Sequence, residues 1–133
     1  MKPPALEKIL LDGAAGAIET DVTAPGESRA AIALIAHPHP LFGGTLDNKV
    51  VQTLAKCFVD LGFVALRPNF RGVGASAGEH DDGKGEAEDL LQVIAWMRDP
   101  FNWQGIVELE EHGWPILVGE LPLAMAGFSF GSY

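Results

Sequence analysis

Thirteen residues at the end of the chain, L-P-L-A-M-A-G-F-S-F-G-S-Y, carry the residue types and the spacing of nucleophilic chemistry. An apolar run, Leu121 to Ala126, leads into Gly127-Phe128-Ser129-Phe130-Gly131, which fits G-x-S-x-G. In that pattern a buried strand ends in a turn so sharp that the serine is held in a strained backbone conformation. Side chains two residues before and two after would collide with neighbouring backbone, and glycine removes the collision. The hydroxyl then projects from the sheet top, where a base can take its proton. Acyl transfer also needs donors for the developing oxyanion, and a base oriented by an acid. The N–H of Phe130, directly after the serine, is the first donor such a turn offers. The second is expected from the loop His37–Gly44, where Pro38 and Pro40 have no N–H. The donor must then be His39 or a later residue such as Leu41, and His39, its backbone direction fixed by the flanking prolines, is the choice.

Other residues compete for the chemistry. Gly74-Ala75-Ser76-Ala77-Gly78 is a second G-x-S-x-G, but a polar loop, Glu79 to Gly83, follows it where a helix should begin. Ser76 is therefore read as a decoy. His37 and His39 form an H-x-H pair, which ends a strand in some metal-dependent hydrolase barrels. Such a barrel takes roughly 250 residues, and the nearest further ligands, His80, Asp81 and Asp82, lie on another loop. No metal is expected, and His37 is read as a brace for its own loop. Arg71 with Gly72 and Gly74 does not have the spacing of a phosphate-binding loop. Cys57, the single cysteine, lies in an apolar helical stretch and is expected in the core, which excludes an internal disulfide and suits a reducing compartment.

These groups need elements to hold them. Glu7–Asp12 and Gly16–Thr23 predict an edge hairpin around Gly-Ala-Ala-Gly, with Ile18, Thr20 and Val22 inward and Glu19, Asp21 and Thr23 outward. Ala30–Ala36 is continuously apolar, as in an interior strand covered on both faces. A helix is expected over 47–61, capped by Thr45 or Asp47 and closed by Gly62, with Val50, Val51, Leu54, Ala55, Phe58 and Leu61 on its apolar face. Phe63 to about Phe70 is the next strand. A second helix, 86–98, places Ala87, Leu90, Leu91, Ile94 and Met97 on one face and stops at Asp99-Pro100. Phe101–Glu120 predicts an ordered surface excursion, and Leu121–Ala126 the last strand. The order gives an α/β chain: a mostly parallel sheet with helices on both faces. The loops His37–Gly44, Phe70–Gly85 and Gly127–Gly131 then converge beyond the carboxyl ends of its strands, where such sheets place their sites.

Composition narrows the partners. With 133 residues, 47% of them hydrophobic and 20% charged, the chain is expected to be a single globular domain, 1–133. A net charge of −9 argues against nucleic acid or an anionic membrane. The N-terminus has no apolar signal region and no run approaches a membrane span, so a cytoplasmic protein is expected. No cofactor is implied, the expected partner is a small ester-like molecule, and oligomeric state is left open.

Three motifs in order, A-H-P-H-P-L-F-G-G-T-L-D-N-K-V, L-R-P-N-F-R-G-V-G-A-S-A-G-E-H-D and L-A-M-A-G-F-S-F-G, resemble the bacterial α/β-hydrolases related to dienelactone hydrolases. The resemblance runs from Ala30 onward, apart from Phe101–Glu120, which is longer than usual. It implies an α/β-hydrolase sheet whose second strand is antiparallel, a nucleophile at Ser129, oxyanion donors at Phe130 and His39, and a structural pocket-bordering loop in R-G-V-G-A-S. It further implies a serine hydrolase acting on carboxylic esters or thioesters. The family's triad runs Ser, Asp, His along the chain, yet all four histidines here precede Ser129 and four residues follow it. The expectation is an N-terminal part of the fold, lacking about three strand–helix units of roughly 30 residues each. Such a part would be inactive by itself and poorly soluble or molten. The alternative is a non-catalytic remnant that acts at most as a binding or pairing partner.

Overall fold

A computed structural model describes residues 5–25, 31–37, 44–79, 81, 83–99, 102 and 121–127. Among these described residues, five strands and two helices follow in the order β1 (Ala5–Gly13), β2 (Gly16–Ala24), β3 (Ala31–Ala36), α1 (Lys49–Asp60), β4 (Phe63–Pro68), α2 (Lys84–Arg98) and β5 (Leu123–Gly127). They form one mixed sheet in the order β1-β2-β4-β3-β5. β3 runs parallel to both β4 and β5, while β2 is antiparallel to both β1 and β4. This is the antiparallel second strand that the resemblance implies, and the hairpin does lie at the sheet edge.

The hairpin closes through Ala14 and Ala15 between the paired Gly13 and Gly16. Gly16 has φ +119° and a Cβ there would meet the Cβ of Ala77, so both conformation and space require glycine. β3 is buried along its whole length. Its period of two divides the core: Ile32 and Leu34 join Leu11, Ile18, Val22, Val64, Leu66, Val93 and Met97 on one face. Ala33 and Ile35 meet Val51, Ala55, Val59 and Ala65 on the other. That continuous apolar strand is what two covering helices demand.

Several expectations are corrected by contacts that apolar spacing does not register. Asn48, not Thr45 or Asp47, caps α1: its Oδ1 accepts from the N–H groups of Val50 and Val51 at 2.9 and 3.3 Å. Thr45 Oγ1 is occupied one turn earlier by the N–H of Asp47. The buried stripe of α1 is Val51, Ala55 and Val59, so Val50 and Leu61 are exposed. Cys57, two residues from both Ala55 and Val59 and thus on the far side of the helix, is exposed rather than in the core.

α2 is rotated from the expected face. Val93 and Met97 are buried together with Glu86 and Asp89, while Ala87 and Leu91 face solvent. The reason is polar. Glu86 accepts from the N–H groups of Gly83 and Asp81 at 3.0 and 2.8 Å, so its carboxylate serves the helix start. Asp89 pairs with Arg71 (below).

Asp21, expected outward, is also buried. It stands in register between Lys8 of β1 and Arg67 of β4, accepting from Lys8 Nζ at 2.7 Å and from Arg67 Nη2 at 3.4 Å. Arg67 Nη1 donates onward to the carbonyl of Leu46. The bond to Asp21 raises the Lys8 ammonium above its ordinary pKa. A groove of about 690 Å³ opens over this row, between the hairpin and the flank of α1 at Gln52, Lys56 and Val59.

Candidate active site

The strand ends define where the chemistry must be. In the β3–β5 ladder Ala36 lies opposite Gly127. The loops that begin at His37 and at Phe128 therefore leave from neighbouring carboxyl ends. β4, on the other side of β3 and parallel to it, ends at Pro68 and sends Asn69 and Phe70 into the third loop. The adjacent strand ends agree with the element order; residues 38–43 and 128–131 of the expected loops lie outside the described residues.

His37 joins two of these loops. It is fully buried, its Nε2 accepts the N–H of Phe70 at 2.9 Å, and the two rings meet edge to face at 4.5 Å. An accepting Nε2 puts the proton of the neutral ring on Nδ1. The bracing role expected for this side chain includes a bond to the next loop. Asn69 does similar work at the adjacent position: its Oδ1 accepts the N–H of Leu46 at 2.8 Å, and its Nδ2 donates to Glu19 at 2.7 Å.

Ser76, in the second G-x-S-x-G, is 7% exposed. Its Oγ donates to the carbonyl of Asn69 at 2.8 Å and accepts the N–H of Glu19 at 2.9 Å. A hydroxyl committed in both directions is a staple between the hairpin and the third loop. Glu19 completes the knot by accepting the N–H of Ala75 at 3.0 Å. That backbone donor, with Asn69, holds the Glu19 carboxyl below its ordinary pKa. Gly74, at φ +55°, leaves the space in which Glu19 and Asn69 meet.

Arg71 fixes the same loop to α2. Its Nε and Nη2 donate to the two oxygens of Asp89 at 3.0 and 2.9 Å, a fork-to-fork pair that is almost wholly buried. The bond to Asp89 raises the guanidinium above its already high ordinary value. Gly85 is needed here, because a Cβ on it would occupy the place of the guanidinium. The R-G-V-G-A-S segment is accordingly a structural loop. Residue spacing offered Arg71 only a discarded phosphate reading, beside the structural loop that the resemblance implies; the signal missed was Asp89, spaced with Glu86 on the helix that follows.

Ser129, Phe130 and His39 lie outside the described residues, as do His80, Asp82, His112 and all of Phe101–Glu120 except Asn102. Among the described residues no group of three His, Cys, Asp or Glu side chains is placed to hold a metal ion. No helix among them is long and apolar enough to cross a membrane. The 690 Å³ groove is not this site, since none of Ala36, His37, Asn69, Phe70 and Gly127 lines it.

Comparison with known proteins follows the same lines. The profile of the X-Pro dipeptidyl-peptidase (S15) family matches residues 12–132. An α/β serine hydrolase homologue from Coxiella burnetii is 41% identical, with a TM-score of 0.77 over 100% of this chain and 55% of its own. XC6422 from Xanthomonas campestris, described as an α/β serine hydrolase without lid, is 33% identical, with a TM-score of 0.77 over 96% of this chain and 52% of its own. An uncharacterized protein of Rickettsia prowazekii is 42% identical over 93 residues, which is 70% of this chain and 39% of that protein. The chain thus spans about half the length of the solved relatives and less of the Rickettsia protein.

Proposed function

Because this chain belongs to the X-Pro dipeptidyl-peptidase (S15) family, whose solved relatives are α/β serine hydrolases, we propose that it carries the nucleophile half of a serine hydrolase acting on carboxylic esters or thioesters. One observation supports the reading above others: Gly127 ends β5 directly beside Ala36 at the end of β3. G-F-S-F-G therefore follows a strand whose neighbour delivers the His37–Gly44 loop. In this reading Ser129 Oγ attacks the carbonyl carbon. The N–H groups of Phe130 and His39 hold the oxyanion, and the proton passes to a histidine base oriented by an aspartate. In this reading the base and the acid are supplied from outside the residues of this chain. An oxyanion hole and binding alone would leave a rate only ~10³–10⁴ above water.

The test is labelling of the native protein with a fluorophosphonate probe, which reacts with an activated serine and spares an ordinary hydroxyl. Labelling that Ser129→Ala abolishes is the expected result. Absence of labelling, or labelling that persists in Ser129→Ala, would sink the proposal in favour of a non-catalytic pairing role. A p-nitrophenyl ester set against an Xaa-Pro p-nitroanilide then decides the substrate class, and the ester is expected to be the better substrate.

A further inference from the structure

β1 is the outermost strand of the sheet, nine residues long, and among the described residues nothing pairs with its outer edge. In an antiparallel ladder every second residue aims its N–H and C=O away from the partner strand, so this edge is a template for a further strand. Edges of this length are usually guarded by charge or proline. This one carries Lys8 and Asp12 but also exposes Leu6 and Leu10, at 55% and 64%. Lys8, between them, already has its ammonium on Asp21.

We propose that the outer edge of β1 docks a second copy of the chain, the two strands running antiparallel about a two-fold axis through Leu10. The argument is register. Centred on Leu10, the pairing sets Leu10 against the second copy's Leu10, and Lys8 against its Asp12, twice by symmetry. Asp12 is exposed, and the Lys8 side chain is 57% exposed, leaving it room to meet a second carboxylate. On the opposite face Ile9 meets the second copy's Leu11, and both already belong to or pack on the larger apolar cluster. The core would continue across the axis. Centred on Ile9, the strand would oppose Lys8 to Leu10 and Leu6 to Asp12. Centred on Lys8, it would oppose Lys8 to itself and Glu7 to Ile9. Directly opposed residues interact most strongly in a sheet, favourably for opposite charges and apolar pairs and unfavourably for like charges. Of these three registers, only the one centred on Leu10 opposes no charge to an apolar or like-charged residue between Lys8 and Asp12, and the five described strands of each copy would join into one sheet.

The oligomeric state of the native protein, measured by analytical ultracentrifugation between about 1 and 100 µM, is the first readout, since a short edge contact gives a weak dimer. Opposed residues have Cα atoms about 4.5–5.5 Å apart, within disulfide reach. In a Cys57→Ala background, Leu10→Cys is therefore expected to lock the dimer under mild oxidation. Leu6→Cys, on the same face and similarly exposed, is expected to stay unlinked. Leu10→Lys, at an exposed position that leaves the thermal transition in place, should weaken dimerisation at least tenfold. A protein monomeric throughout the range overturns the proposal. So does a dimer indifferent to Leu10→Lys, one locked equally through Leu6→Cys, or one locked through Met125→Cys on β5.

Discussion

The N–H of Phe70 donates to Nε2 of His37 across 2.9 Å with both residues buried. One imidazole thus sets the spacing between the loop that follows β3 and the loop that follows β4. His37→Ala would remove the ring packed on Phe70 and strand a buried N–H. Destabilisation of about 2–4 kcal/mol is expected from the cavity and the lost acceptor, read as a lower denaturation midpoint at unchanged slope. His37→Gln, which returns an acceptor near the same place, should recover part of it.

Glu19 supplies the acid dependence. Its carboxylate accepts from Ala75 N–H and Asn69 Nδ2, which lowers its folded pKa from the ordinary value near 4.5. A depressed carboxylate contributes stability that is fully present above its unfolded value and is lost as pH falls through the folded one. Stability should therefore decline below about pH 4.5. Glu19→Gln should flatten this acid limb while lowering neutral-pH stability by about 1–2 kcal/mol. Denaturation curves at a series of pH values separate the two.

Ser76 and Ser129 make opposite predictions from the same motif. Ser76→Ala leaves the N–H of Glu19 without its acceptor and should cost about 1–3 kcal/mol. It should leave fluorophosphonate labelling intact. A label lost with Ser76 and kept without Ser129 would reverse the assignment.

Arg71, Asp89 and Gly85 form a coupled set. Arg71→Ala abandons a buried carboxylate and should destabilise by about 3–5 kcal/mol. Arg71→Lys should restore little, because one ammonium cannot reproduce the forked pair. Gly85→Ala should be costly in the native background by displacing the guanidinium, and nearly free once Arg71 is alanine. A double-mutant cycle measures that coupling; additive effects would refute it.

Much of the architecture was legible because the signals are local and repeat with the backbone's own periods. Ala31–Ala36 has no polar residue, so it had to be an interior strand. Gly13-Ala-Ala-Gly16 had to turn, and Asp99-Pro100 had to end a helix. The same locality made the Ser129 motif visible after its apolar strand. Most of the hidden parts depend on partners that apolar spacing does not register, several of them far along the chain. Asp21 looked like an outward residue of a half-exposed strand until Arg67, 46 residues later, met it in register. The rotation of α2 was invisible because Asp89 and Glu86 count as solvent-facing unless Arg71 and the N–H groups at 81 and 83 are known to meet them. Asn48 caps α1 in place of Thr45 and Asp47 because the helix starts at Lys49, which puts its Oδ1 within reach of the N–H groups of Val50 and Val51.

The sequence by itself determined the order of strands and helices, the interior place of β3, and the glycine-bracketed serine beyond β5. Hydrophobic period and backbone permission suffice for those. Only the tertiary structure decided that Ser76 is a staple, that His37 serves Phe70, and that β1 lies outermost among the described strands. Each of these depends on which distant donor, acceptor or strand a residue meets. Strand register fixes those meetings, and no single segment contains it.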